Sequence, residues 1–214
     1  EVRNDEDGTV VALQLATHFS VTDGLTVVAA VDFLPRDRDL HDFRALGDFF
    51  DLKLAFIRYQ FDLPRVWLAI FAGKFDPLHG VEYRTQESPD RIGVTPSLIC
   101  RYTCGRPTGV KAKVGLFDRA FELWLAVTNG SHQSDLFPFS NESDFNSGKT
   151  FAGRIQYTIP IGQGIELAAS GAIGPQDRQP DDGVLQWHYG FAAKVDVGDF
   201  RGSAEFVTGR ALGK

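Results

Sequence analysis

The sequence predicts an all-β fold, an antiparallel transmembrane β-barrel with about ten strands in this chain. Three observations predict it. Apolar residues alternate with small or polar ones at a period of two, the mark of a strand with two unlike faces. The alternating runs are about ten residues long, whereas soluble strands average about five or six and membrane strands need about 9–11. The connections between runs alternate between short and long.

The runs follow in order. Val11, Leu13, Leu15 and Phe19 alternate with Ala12, Gln14, Ala16 and His18. Thr22-Asp23-Gly24 turns the chain into Leu25, Val27, Ala29, Val31 and Phe33, set against Thr26, Val28, Ala30 and Asp32. After a long charged connection over 35–48, Phe50, Leu52, Leu54 and Phe56 alternate with Asp51, Lys53 and Ala55. A short turn over 62–65 holds Pro64, a turn former, and Val66 to Phe75 is then apolar on both faces until Gly73 and Lys74. The longest connection, 76–108, leads to Val110, Val114 and Leu116 against Lys111, Lys113 and Gly115. Beyond the turn at 117–120, Phe121, Leu123, Leu125 and Val127 alternate with Glu122, Trp124, Ala126 and Thr128. A long connection over 130–149 precedes Ile155, Tyr157 and Ile159, set against Arg154, Gln156 and Thr158. Gly162-Gln163-Gly164 turns into Ile165, Leu167 and Ala169, against Glu166, Ala168 and Ser170. After 175–183, Leu185, Trp187, Tyr189, Phe191, Ala193 and Val195 alternate with Gln186, His188, Gly190, Lys194 and Asp196. Gly198-Asp199 leads to Phe200, Ala204 and Phe206, against Arg201, Ser203 and Glu205.

Composition narrows the class. The 214 residues carry 22 basic and 28 acidic side chains, a formal charge of −6 that is the wrong sign for a nucleic-acid binder. An aromatic content of 12%, with 18 Phe, excludes disorder. No apolar run approaches the roughly 20 residues of a spanning helix. The chain opens Glu1-Val2-Arg3, with no Met and no leader segment, and is expected to be a mature form or a fragment. Its mean hydropathy of −0.14 is what a lipid-facing face averaged with a wet lumen and charged loops yields.

Period two also serves a soluble β-sandwich, with its apolar face inward; in a membrane barrel that face points to lipid. The barrel is favoured by aromatics near the run ends, such as Phe33, Tyr59, Phe61, Trp67, Phe117, Phe121 and Phe200. The even run lengths favour it too, as do short turns on one side and long loops on the other. A lectin-like sandwich acting as a binding module is the alternative.

The segment Phe71-Ala72-Gly73-Lys74-Phe75-Asp76-Pro77-Leu78-His79-Gly80-Val81-Glu82 resembles the strand-to-loop signature of phosphate-selective (polyphosphate-selective) porins of the bacterial outer membrane. Cys104-Gly105-Arg106-Pro107-Thr108-Gly109-Val110 resembles that family's Gly-Arg-x-x-Gly strand entry, and Val127-Thr128-Asn129-Gly130 its strand-ending Asn-Gly. The motif match covers residues 66–130, and the rest matches in pattern. The resemblance implies a homotrimer of barrels with about sixteen strands each. It also implies contact with outer-membrane lipid and passive passage of small hydrophilic solutes, with a lean to anions such as phosphate. Residues 1–214 are then expected to be a single barrel domain that is part of a larger porin. The terminal Arg210-Ala211-Leu212-Gly213-Lys214 departs from the pattern by lacking a final aromatic.

Basic residues are the candidate pore lining. Arg84, Arg91, Arg101 and Arg106 lie in the 76–108 connection, and in porins a long loop can fold into the lumen. Lys111 and Lys113 lie on the polar face of the next strand, and Lys74, Arg154 and Lys53 are expected neighbours. Rings of Arg or Lys select anions, and the planar guanidinium matches phosphate oxygens. The competing reading makes them solvated loop charges paired with Glu82, Glu87 and Asp90. Cys100 and Cys104 are expected to close a loop disulfide in an exported protein. Free thiols or half of a metal site are the alternatives, and no His stands at zinc-ligand spacing beside them. No metal, cofactor or catalytic residue is expected, because G-x-S-x-G, H-E-x-x-H and Walker A signatures are absent. Ser147-Gly148-Lys149-Thr150 ends like a P-loop, but Ser143 stands where its first Gly belongs. Ser131-His132-Gln133-Ser134-Asp135 has hydrolase residue types, so a barrel-borne hydrolase is the enzyme alternative. His79 and His188 are isolated in sequence and read as structural.

Overall fold

The structure, a computed structural model, describes residues 2–5, 8–11, 13–33, 50–81, 99–103, 105–129, 148–161, 164–175 and 185–210. They form strands β1 (Val2–Asp5), β2 (Gly8–Val11), β3 (Leu13–Ser20), β4 (Leu25–Phe33), β5 (Phe50–Leu63) and β6 (Val66–Lys74). One helical turn, α1 (Cys100–Thr103), follows, in which Thr103 Oγ1 donates back to the Ile99 carbonyl at 3.0 Å. The remaining strands are β7 (Thr108–Leu116), β8 (Phe121–Asn129), β9 (Lys149–Ile159), β10 (Gly164–Pro175), β11 (Leu185–Val197) and β12 (Phe200–Arg210).

The fold is all-β, as the alternation predicts. Strands β3 to β12 form one ten-stranded antiparallel sheet in strict chain order. Each strand pairs with its neighbours in sequence, so all the short connections fall at one end and all the long ones leave from the other. Among the described residues β3 and β12 do not pair, so the sheet has two edges. Three features depart from the expected runs. Val2–Asp5 and Gly8–Val11 form a separate hairpin, so Val11 belongs to it and the first sheet strand starts at Leu13. Strand β5 continues to Leu63 with its phase reversed: Leu52 is exposed, but Leu54 and Phe56, expected on the same apolar face, lie on the covered one, and Ile57, Tyr59, Phe61 and Leu63 take over the exposed face. Between β4 and β5 the register slips at Ala30/Val31: Ala30 pairs with Leu54 and Val31 with Leu52, leaving Lys53 as the extra residue of a bulge.

The two faces of the sheet are opposite in chemistry, and their burial is inverted relative to a soluble sheet. On one face Lys111, Lys113, Glu122, Thr128, Thr150, Arg154, Gln156, Gln186 and His188 are buried. On the other, Leu125, Phe151, Ile155, Leu167, Phe191 and Phe206 are exposed, Phe191 to 60%. The polar face is covered by the start of the long connection after β6. Phe75 and Leu78 from that segment pack with Trp124, Ala126, Ala152 and Ala172 into a small apolar cluster on the polar side.

Gly73 prepares that departure. Its φ is +127°, and a Cβ there would collide with the Ala55 carbonyl oxygen and approach the Phe56 Cα to 2.8 Å. The sheet therefore tolerates only glycine at the point where β6 leaves its ladder. Gly73→Ala is expected to lower stability by about 1–3 kcal/mol, read as an earlier urea midpoint in detergent. Gly198→Asn is the matched control: its φ is +59° and nothing lies within 4 Å of a Cβ. It should stay within about 0.5 kcal/mol of wild type.

Candidate functional site

The candidate site is the contact between residues 75–81 and the polar face. The segment is tied to the return of its own connection where Phe75 N–H donates to the Pro107 carbonyl at 3.2 Å. Arg106 Nε donates to Asp76 Oδ1 at 3.2 Å, and Lys111 Nζ donates to the Asp76 carbonyl at 3.0 Å. The same ammonium lies 4.9 Å from the Phe71 ring centre and 4.4 Å from that of Phe75. Both distances are within cation–π range.

Further along, Arg154 of β9 is 1% exposed and spends its guanidinium on four acceptors. Nη1 donates to the carbonyls of Leu78 and Gly80 at 3.2 and 2.8 Å. Nη2 donates to Glu166 Oε1 at 2.6 Å, and Nε to Gln156 Oε1 at 3.1 Å. Between the two clamped carbonyls, the His79 ring meets the His188 ring of β11 edge to face, 4.4 Å between centres. Gly80, at φ +74°, lies against the Glu205 carboxylate of β12. The segment thus crosses from β7 to β12.

Towards the short-turn end, cations and rings alternate. Arg119 lies 4.3 Å from the Trp67 ring, and Lys113 lies 5.5 Å from Trp67 and 3.8 Å from Trp124. Arg154 lies 5.4 Å from Trp124. Glu122 sits among them and accepts from Trp124 Nε1 at 3.0 Å and Arg119 Nε at 2.9 Å, with Lys113 Nζ at 3.4 Å. A buried charge is tolerable when it is paired and hydrogen-bonded, and these are.

Of the sequence-predicted residues, Lys74, Arg106, Lys111, Lys113 and Arg154 are all buried, and the last four belong to this network. Arg84 and Arg91 lie outside the described residues, as does the side chain of Arg101 in α1. Cys100 is disulfide-bonded; Cys104 lies outside the described residues. Lys149 and Thr150 of the P-loop-like run are the first residues of β9, paired with Asn129 and Thr128. That is extended strand, not a phosphate loop opening a helix. The Ser131–Asp135 run lies outside the described residues. Among the described residues no group of three His, Cys, Asp or Glu is placed to hold a metal.

The meeting of His79 with His188 was not legible in the sequence. The polar phase of β11 places His188 on the covered face, but nothing in the spacing points to a loop residue so far upstream. Nearby, Thr150 Oγ1, Gln186 Oε1 and His188 Nε2 have no hydrogen-bond partner among the described residues. Their side chains line a cavity of about 10 Å³ beside Gly174, a volume that suits one water.

No protein-family model matches the chain, and no curated protein matches its sequence.

Arg154→Met is expected to release the segment, because it strands Glu166 and two backbone carbonyls on a buried face. Breaking a buried pair in this way costs about 3–5 kcal/mol, read as an earlier denaturation midpoint together with red-shifted tryptophan emission as Trp124 loses its cover. Arg154→Lys should rescue little, since one ammonium cannot reproduce the planar fork.

Proposed function

We propose that the chain forms wall and inner loop of an outer-membrane β-barrel channel for passive diffusion of small hydrophilic solutes, with a preference for anions such as phosphate. The reading follows the resemblance to phosphate-selective porins and extends to their homotrimeric assembly. One observation carries it: the exposed face of the sheet is apolar and the buried face is polar. A soluble sandwich would bury the apolar face, and soluble monomers seldom expose a contiguous apolar patch above a few hundred Å². Lipid is the solvent in which this exposed face is stable.

Other features agree. Strands β5 to β12 are 9–14 residues long, enough for a tilted strand to cross about 30 Å of hydrocarbon. Tyr59, Phe61, Phe117 and Phe200 are exposed near the short-turn end, where an interfacial girdle would sit. On the exposed face, Ala169, Ala193 and Ala204 stand between Leu167, Phe191 and Phe206, forming a shallow groove of about 610 Å³, a shape that suits an acyl chain. No helix among the described residues is long and apolar enough to cross a membrane.

The mechanism needs no chemical step. Polar side chains keep a lumen wet, and basic residues lower the barrier for anions. The face beneath residues 75–81 is closed off by the docked segment. The more accessible polar side chains lie beyond it: Arg58, Gln60 and Asp62 on β5, and Arg201 and Ser203 on β12. Arg58 Nη2 donates to Thr26 Oγ1 at 3.2 Å, and Gln60 Nε2 to Asp62 Oδ1 at 3.0 Å, so that wall is ordered. On this reading Arg84, Arg91 and Arg101 supply positive charge from the same connection, whereas Lys74, Arg106, Lys111, Lys113 and Arg154 are buried in the covered face.

Planar-bilayer recordings test this reading. The protein is expected to conduct, with a salt-gradient reversal potential of anionic sign. Arg84→Ala with Arg91→Ala should move that potential towards zero. A cation-selective wild type would remove the anion preference. A protein monodisperse without detergent and silent in bilayers would instead be a soluble binding module.

A further inference from the structure

Two histidines distant in sequence meet where the loop segment lies on the sheet. His79 and His188 are both almost wholly buried, and their rings are 4.4 Å apart between centres at an interplanar angle of 72°. The carbonyls on either side of His79, those of Leu78 and Gly80, are the ones Arg154 holds. The histidine contact and the arginine clamp therefore share one three-residue stretch.

Several charged groups face this stretch. Arg154 approaches from β9, bound to Glu166 of β10. Glu205 of β12 lies against Gly80. Lys111 of β7 and the Arg106–Asp76 pair hold the near end of the segment. The cavity beside His188 adds only neutral groups, Thr150 and Gln186.

Resting on the channel reading, we propose that this contact is an acid-released latch: protons taken up by His79 and His188 lift residues 75–81 off the sheet and change the width of the channel. Neutral rings in this geometry attract edge to face. Two imidazolium rings at the same separation, shielded from water, repel one another. On release both rings enter water, where histidine takes up a proton near pH 6.5. The released state thus binds more protons than the docked state, so acid favours release. Glu205 opposes this, but Glu166 is already paired with the Arg154 guanidinium, which leaves one carboxylate to face two imidazolium groups.

The release equilibrium shifts by up to about tenfold per proton for each pH unit below that value. Relative to a pH well above 6.5, pH 5 is therefore worth up to about 30-fold for one proton and about 1,000-fold for two.

The full-length protein in detergent micelles and in planar bilayers supplies two independent readouts. Between pH 7.5 and 5 the tryptophan emission is expected to shift to longer wavelength, as Trp124 loses its contact with Phe75 and Leu78. Unitary conductance should step over the same range. His79→Phe and His188→Phe each keep a ring in place while removing a titrating one, and the double variant should be flat in both readouts. Steps that persist in the double variant overturn the latch. So does a wild type with no emission step, or one whose emission shifts blue in acid, which would mean that Glu205 captures the protons and tightens docking. If the double variant does not fold, His79→Gln alone, expected to lose at least half of the logarithmic shift, decides the matter. An emission step without conductance at any pH sinks the channel reading and keeps the latch; steady conductance without an emission step sinks the latch alone.

Discussion

A guanidinium with four acceptors holds the covered face together. Arg154 binds Gln156 on its own strand, Glu166 on the next, and two carbonyls of a segment that arrives from the far end of β6. Each acceptor needs the arginine as much as the arginine needs them. Leu78 and Gly80 have no ladder to pair with, and a buried carbonyl without a donor costs about 1–3 kcal/mol. Glu166 would carry an uncompensated charge. One side chain answers all of these needs, while Lys111 and Arg106 hold the near end of the segment at Asp76. The small cluster of Phe75, Leu78 and Trp124 then closes around it.

The inverted polarity follows from the same accounting on a larger scale. A strand with one polar and one apolar face must hide one of them from water, and soluble sheets hide the apolar one. Here the part of the polar face beneath residues 75–81 is hidden by protein, and Arg106, Lys113 and Arg154 are each paired there with a carboxylate. The apolar face is left exposed, and on the proposed reading its solvent is lipid, which does not compete for hydrogen bonds. In lipid that choice has a corollary for β3 and β12. An unpaired edge in hydrocarbon costs several kcal/mol for each orphaned group, so in a membrane both edges must find strand partners to complete the wall.

Much of this fold was legible in the sequence. Period two identified both faces of β4, β7, β8 and β11, because a strand's side chains have only two directions to take. The turn positions were legible for a similar reason: Gly, Asp and Pro mark the places where the chain must reverse. What escaped was non-local or irregular. The hairpin of Val2–Asp5 and Gly8–Val11 is too short and polar to show a period. The bulge at Lys53 depends on the partner strand's register. The basic residues were found as candidates, yet their carboxylate and carbonyl partners were not, since Arg154 to Leu78 and Lys111 to Asp76 are contacts that no sequence spacing encodes.

Those partners alter what the basic residues do. A lysine or arginine that lines open water attracts anions, whereas one held at 5% exposure or less between a carboxylate and an indole mainly fastens structure. The indole matters because Lys113 must leave water to reach Glu122. A ring face at 3.8 Å recovers part of the lost hydration, which an aliphatic side chain in place of Trp124 cannot do. Trp124 then passes the same service to Arg154 on its other side. The ladder from Arg119 through Trp67, Lys113 and Trp124 to Arg154 thus couples the short-turn end of the sheet to the docked segment. On the proposed reading, charge selection falls to side chains outside this ladder, and the ladder sets where the loop that narrows the passage can rest.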